Sequence, residues 1–403
     1  MKIKSTPEDF QVEELTEIQP GKEGEQAFYR LEKRGWSTVD VLGAIRRIWR
    51  IEPHRINYGG LKDRHAVTTQ YLTILKGPKA HLENPGWRLR HLGQVAEAFS
   101  SKNIAANRFQ ITIRNMPPKS GNAVKDTLAE VADQGLPNYF DEQRFGSLSG
   151  PGGEFIGKKL VLGDFEGGLK QALSQPYAHD RSAQKKEKAI VRKLWGDWEG
   201  LVRDLPKGHA RSLSDYLRVH PGDFKGAVAR LRPELKGLYL SAFQSALWNR
   251  SLARWYELHA PAESLLWINS KAGKIAIHRR LPESAHRSLQ ALEIPLLSSR
   301  SEDAELEPTR EIWQPILEAE GLTSDQLKVP GLRELFFSRG VRHALLEPKN
   351  LSHQFMEDEL HPGRSKLILR YELTRGSYAT MLVKRVQMAL AGEIPGNSNP
   401  AGS

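Results

Sequence analysis

Alternation of apolar and polar positions marks several strands near the start of the chain. In DFQVEEL, Phe10 and Val12 fall on one face, with Asp9, Gln11 and Glu13 on the other. QAFYRLEK (26–33) predicts a second strand, and VTTQYLTIL (67–75), rich in β-branched residues, a third. NRFQITIRNM (107–116) turns Phe109, Ile111 and Ile113 inward, against Gln110, Thr112 and Arg114. Between these runs the period lengthens. STVDVLGAIRRIWR (37–50) predicts a helix with Ser37 as N-cap and Asp40 three residues on, its apolar face running through Leu42, Ile45 and Ile48 or Trp49. GNAVKDTLAEVADQG (121–135) predicts another through Val124, Leu128 and Val131, stopped by Gly135 and Pro137. Strict period-two strands mixed with helices predict an α+β domain with a mainly antiparallel sheet.

After the glycine-rich stretch GSLSGPGGEFIGKK (146–159) the pattern becomes mainly helical. DRSAQKKEKAIVRKLWGDW (180–198) reads as a basic helix, LRVHPGDFKGAVARLRPE (217–234) as a helical region, and LYLSAFQSALWNRSLARWYELHA (238–260) as a long helix. SLLWINSKAGKIAIHRRL (264–281) predicts short strands and turns, and LLSSRSEDAELEPT (296–309) a polar loop. KLILRYELTRGSYATMLVKRVQMAL (366–390) returns to strand, turn and helix, with Leu367, Leu369, Tyr371 and Leu373 on one strand face. The expected organisation is a catalytic-type α+β domain from residues 1–163 and 344–390, an inserted, mixed α/β but largely helical domain over 164–343, and a frayed tail over 391–403. No internal repeat is expected.

Composition narrows the class. With 39% hydrophobic and 27% charged residues among 403, the chain suits a soluble globular protein of two or three domains. No run of apolar residues is long enough for a membrane helix, the first residues lack a signal-peptide core, and cysteine is absent, so a cytoplasmic location is expected. The absence of cysteine also removes disulfides, zinc–thiolate sites and cysteine nucleophiles. A net charge of +11 favours a polyanionic partner, most simply a nucleic acid. Nine Trp, ten Tyr and 13 Phe supply stacking surfaces or core.

Several familiar chemistries find no support. GGEFIGKK (152–159) imitates a phosphate-binding loop, but Lys159 occupies the place of the magnesium-binding Ser or Thr. The histidines form neither HExxH nor a close pair, so no metal is expected, and no G-x-S-x-G elbow occurs. Three clusters carry more. In GGLKDRHAVTTQ (59–70), Asp63 stands between Lys62 and Arg64. If the segment is extended, the acid faces away from its two cations. An anionic aspartate there suits a nucleophile or base; the plain alternative is a surface turn in which Asp63 pairs with Lys62 or Arg64. His65 beside it lines the same site or sits on the surface. In PNYFDEQRFG (137–146), the Asn138 amide matches a base edge and Phe140 offers a ring, or the aromatics plug the core. In RGSYATM (375–381), Gly376 permits a tight turn, Tyr378 presents a ring, and Ser377 or Thr380 caps the next helix.

Together with KSTPEDFQVEE (4–14) and SAFQSALWN (241–249), these clusters, in this order, resemble the TruD family of tRNA pseudouridine synthases. The resemblance spans residues 4–380 and is weak over 265–335. It implies a cofactor-independent isomerisation of uridine to pseudouridine in tRNA, at position 13, with Asp63 as the catalytic carboxylate. It places uridine binding on Phe10, Asn138 and Tyr378, with Lys4, Lys62 and Phe140 as further site residues. Tyr378 stands where some members have Phe, and Asp141 where many have Gly. The basic residues Lys185, Lys186, Lys188, Arg192 and Lys193 would hold RNA phosphates, or form a solvated helix face. The rivals are a non-catalytic RNA-binding protein on the same fold and a synthase acting on another RNA.

Overall fold

The computed structural model describes residues 1–118, 121–148, 153–177 and 180–391. Apart from Ala391, the expected tail lies outside them. Contacts divide the chain into two compact units: Met1–Leu136 with Leu346–Ser403, and Pro137–Leu345. The second unit begins earlier than the expected insert at residue 164. Helix α3 (Ile156–Val161), in the glycine-rich stretch, packs on helices of that unit rather than on the sheet.

The N-terminal part of the first unit holds β1 (Lys2–Ile3), β2 (Phe10–Leu15), β3 (Gln26–Arg34), α1 (Thr38–Trp49), β4 (Ile56–Tyr58), β5 (Val67–Leu75), β6 (Leu82–Asn84), β7 (Trp87–Val95), β8 (Ala106–Met116) and α2 (Gly121–Gln134), and β9 (Leu136–Pro137) spans the division in the chain. The elements of the second unit follow in the middle of the chain. The C-terminal part adds β15 (Lys349–Glu357), β16 (Ser365–Thr374) and α13 (Thr380–Ala391). One ten-stranded sheet runs in the order β15–β16–β8–β2–β5–β3–β7–β6, with β1 beside β8 and β4 beside β5. Its pairings are antiparallel except for β2 with β5, which run parallel with Gln11 opposite Val67. The expected mainly antiparallel α+β architecture is therefore present.

Helix α1 starts where Ser37 accepts a hydrogen bond from the Asp40 amide, 3.1 Å. It buries Val41, Leu42 and Ile45 against Tyr29, Leu31, Leu72 and Leu89 of the sheet. Trp49 completes that face, whereas Ile48 is exposed. Helix α2 packs on α13, and its Val124, Leu128 and Val131 are buried, as their spacing requires. The α13 entry is tied to β16 by Tyr371, whose hydroxyl donates to the Ala379 carbonyl.

The second unit contains a repeat that the strand-and-helix periodicity hides. Three helix pairs follow one another: α3 with α4 (Phe165–Ser174), α5 (Ser182–Lys193) with α6 (Trp198–Asp204), and α7 (His209–Val219) with α8 (Phe224–Ala229). Each pair turns on one string: GDFEG at 163–167, GDWEG at 196–200, GDFKG at 222–226. The first glycine takes φ of +79°, +96° and +84° in turn. The aspartate caps the next helix, accepting from the amide of the last glycine at 2.8, 2.9 and 2.8 Å. A Cβ on that last glycine would lie within 2.2 Å of the capping carboxylate, which explains why glycine recurs. The expectation of no internal repeat is thus corrected. The two basic segments read as single helical regions, 180–198 and 217–234, each break at their GD turn.

Beyond the repeat, α9 (Pro233–His259) runs through the core, followed by the hairpin β10 (Leu265–Ser270) and β11 (Gly273–His278). Then come α10 (Glu283–Ala291), β12 (Glu293–Pro295), α11 (Asp303–Leu306), α12 (Arg310–Ala319), β13 (Val341–His343) and β14 (Leu345–Leu346). The expected polar loop at 296–309 is partly helical, because Leu306 and Thr309 are buried there.

Gly152 of the phosphate-loop imitation lies outside the described residues, and the rest of the motif has a packing explanation. Gly157 lies where a Cβ would come 2.5 Å from the Tyr239 carbonyl oxygen of α9. Lys158 and Lys159 are engaged by Glu320 at 2.6 Å and Glu154 at 2.7 Å. Gly157→Ala is expected to destabilise the protein by roughly 1–3 kcal/mol through forced separation of α3 and α9. Denaturant unfolding measures this, and an unchanged midpoint would remove the close-approach explanation.

Candidate active site

Parallel strands have their N-terminal ends side by side, so the segments leading into β2 and β5 meet. One carries Lys4, the other Asp63. The Lys4 ammonium donates to the Asp63 carboxylate at 2.6 Å. Asp63 thus pairs with neither chain neighbour. Lys62 turns inward to Glu14, 2.8 Å away, and to Asn107, 3.1 Å. Arg64 stays exposed beside the Gly35 carbonyl. The surface turn in which Asp63 pairs with Lys62 or Arg64 is not what forms, and Lys62 and Arg64 do not share a direction.

Lys4 is itself constrained. Its φ is +55°, in the left-handed region that non-glycine residues seldom occupy. The His65 ring nitrogen lies 2.9 Å from the Lys4 carbonyl, tying the two segments a second time. The ammonium also sits 4.0 Å above the Phe10 ring centroid. Behind Phe10, Asp9 is buried against Arg114 of β8 at 2.8 Å, which anchors the entry to β2. Lys4, Phe10 and Asp63 therefore form one contiguous group, and the Asp63 side chain is 44% exposed, open to a ligand.

The segment 59–66 contains no strand or helix, so side chains hold it. Thr38 accepts from the Lys62 amide at 3.0 Å and donates to Gln70 at 2.8 Å. Gln70 donates to the Gly60 carbonyl at 3.2 Å. Lys33 donates to the Asp63 carbonyl at 2.7 Å. Glu14, fully buried, takes Lys62 on one oxygen and the Tyr71 amide on the other. Neither Gly59 nor Gly60 is in the left-handed region. Gly59 is small because Ile104 would lie 2.4 Å from its Cβ. The sequence carries a signal for Glu14 and Lys33 that apolar periodicity alone passes over: Phe10–Val12–Glu14 and Tyr29–Leu31–Lys33 each put a charge on a core-facing strand position.

Tyr378 belongs to the same unit and is half-buried in the turn before α13. Gly376 takes φ of +85°, the tight turn expected of it. Ser377 lies 3.2 Å from the Thr374 hydroxyl within that turn, and Thr380 is already the first residue of α13. Neither makes the expected helix cap.

Asn138 and Phe140 belong to the other unit. The Asn138 side-chain oxygen accepts from Arg342 at 2.6 Å, and its amide donates to the His343 carbonyl at 3.0 Å. Phe140 is held as a strand residue would be: Asn249 of α9 accepts from its amide and donates to its carbonyl, at 2.8 and 2.9 Å. Trp248 meets the Phe140 ring edge-on at 5.5 Å, and the Arg342 guanidinium lies 4.3 Å from its centroid. SAFQSALWN thus serves as the mount of PNYF. Asp141 sits at φ of −82°, a conformation that does not require glycine. Among the described residues, no group of His, Asp or Glu could hold a metal ion, and no helix is long and apolar enough to cross a membrane.

Glu14→Gln leaves the Lys62 ammonium without its anion. We expect a loss of roughly 2 kcal/mol or more in unfolding free energy. Chemical denaturation measures it, and an unchanged stability would mean that Lys62 is not held by this charge.

A sequence model of the family described as tRNA pseudouridine synthase D (TruD) matches residues 1–386. The chain is 32% identical to the probable tRNA pseudouridine synthase D 2 of Methanocaldococcus jannaschii, over 96% of this chain and 91% of that one. It is 28% identical to the tRNA pseudouridine synthase D of Aquifex aeolicus, over 96% and 98%. Among solved structures, the crystal structure of the putative TruD of Methanosarcina mazei is similar with a TM-score of 0.68 at 26% identity, covering 95% of this chain and 92% of that one. With the match running through both units and every motif described above, the chain belongs to the TruD family of tRNA pseudouridine synthases.

Proposed function

We propose that Asp63 is the catalytic carboxylate of a cofactor-independent uridine isomerisation at position 13 of tRNA, carried out in the cytoplasm. Phe10, Asn138, Tyr378, Phe140, Lys62 and Lys4 serve substrate binding. Residues 1–163 and 344–390 form the catalytic domain in this reading, and 164–343 the inserted one. The chain is an enzyme that converts uridine to pseudouridine in tRNA. That conversion breaks the C1′–N1 bond, turns the uracil, joins C1′ to C5 and moves the C5 proton. The product is an isomer, so no oxidant, reductant or donated group is consumed.

The observation that carries the reading is the Lys4–Asp63 pair. It offers an exposed carboxylate in a fixed direction, next to an aromatic ring. An ion-paired carboxylate suits attack at C1′ or removal of a proton, and suits donation of one badly. The target base is stacked inside folded RNA and must be flipped out to be reached. Aromatic rings such as Phe10 and Tyr378 then replace lost stacking, at about 1–3 kcal/mol per base. For the RNA itself, residues 156–236 hold 17 Lys and Arg against 10 Asp and Glu, a net +7 of the chain's +11. Lys185, Lys186, Arg192 and Lys193 are exposed along α5 within that stretch, whereas Lys188 is paired with Asp180 at 2.7 Å.

Unmodified tRNA, incubated with the protein and mapped for pseudouridine by chemical labelling, provides the test. The wild type is expected to modify position 13. Asp63→Asn is expected to lose activity by at least roughly 10³-fold while binding tRNA with similar affinity. Binding by both should weaken as salt rises. Full activity in Asp63→Asn would overturn the catalytic assignment. Modification at another site or of another RNA would overturn the assignment of position 13.

A further inference from the structure

Lys33 stands on the core-facing side of β3 and is only 2% exposed. Among the described residues it makes no ion pair with a carboxylate. Its ammonium donates instead to two successive peptide carbonyls, Asp63 at 2.7 Å and Lys62 at 3.4 Å. A buried ammonium without an anion is costly, and a leucine or methionine would fill the same space at lower cost. Core stability therefore does not account for it.

We propose that Lys33 is a positioning residue, whose buried ammonium grips the peptide carbonyl of Asp63 and so fixes the direction in which the Asp63 carboxylate is presented. This rests on the reading of Asp63 as the catalytic group. Thr38, Gln70 and Glu14 hold the segment at Lys62 and Gly60. Lys33 holds the reacting residue itself, from behind, while Lys4 holds its carboxylate from the front. With the peptide fixed on one side and the carboxylate on the other, Asp63 loses most of its freedom before the substrate arrives.

Burial pushes the Lys33 ammonium down to about 8; Asp63 opposes that shift and Lys62 adds to it, each more weakly. The charge, and with it the stronger form of the grip, is present below about pH 8 and fades above it. Folding stability moves the other way. The unfolded chain keeps the lysine proton up to about pH 10.4, so between the two values this group adds stability as pH rises. A fall in turnover over that range is therefore not unfolding caused by Lys33.

The test is single-turnover and steady-state pseudouridine formation by the full-length protein as wild type, Lys33→Met, Lys33→Arg and Asp63→Asn, from about pH 6 to about pH 9.5. Lys33→Met keeps an unbranched side chain out to Cε but removes the ammonium, and is expected to lower kcat about 10²-fold with KM for tRNA within about threefold. Lys33→Arg, which stays charged, is expected to lose the alkaline fall in kcat that the wild type shows near pH 8 on the same RNA. Lys33→Met with wild-type kcat, beside an inactive Asp63→Asn, overturns the role of Lys33 and leaves that of Asp63 intact. Coincident pH profiles for wild type and Lys33→Arg overturn it too, including where Lys33→Met fails to fold. Wild-type activity in Asp63→Asn overturns the reading on which the proposal rests.

Discussion

Parallel pairing of β2 with β5, with Gln11 opposite Val67, is the constraint on which the candidate site depends. The remaining pairings in this sheet are antiparallel, and an antiparallel partner would have put the segment before β5 at the far end of β2. The parallel pair instead brings residues 4–9 and 59–66 to one end of the sheet. From that follow the Lys4–Asp63 pair, the His65 contact with the Lys4 carbonyl, and the place of Phe10 beneath the ammonium. The left-handed backbone at Lys4 is strain that these contacts offset.

Bringing two segments together does not fix their conformation. The 59–66 segment has no backbone ladder, and buried polar groups take its place: Thr38, Gln70, Glu14 and Lys33, from four different elements. Each is costly to bury alone, and each is tolerated because it meets a specific donor or acceptor of the segment. The sheet is thus apolar under α1 and polar beneath the Asp63 segment, within a few residues along the same strands.

Much of the fold was legible because strand alternation and helical spacing report burial directly. VTTQYLTIL and the Ser37 cap are found as their patterns require. DFQVEEL and NRFQITIRNM also form strands, but Asp9, Thr112 and Arg114, expected on the outward faces, are buried, Asp9 and Arg114 because they pair with each other. What the patterns could not carry was pairing across the chain. Asp63 looked like the partner of Lys62 or Arg64 because sequence shows neighbours, while its partner lies 59 residues away. Ser377 looked like a cap because hydroxyls cap helices in general, while here a nearer hydroxyl meets it. The GD turns were visible as a repeated string, but hydrophobic periodicity runs through each break and conceals it. Glu14 and Lys33 were visible too, as charges at inward strand positions; reading the alternation to its end, rather than to its last apolar residue, would have found them.

In the proposed reaction a carboxylate in one fixed place, and not merely a negative charge nearby, does the work. Asp63→Glu keeps the charge and lengthens the side chain by one methylene group. The single-turnover rate of pseudouridine formation by this variant, at saturating enzyme, separates position from charge. A fall on the order of 10²-fold or more is expected, with tRNA binding unchanged. A rate close to that of the wild type would contradict it.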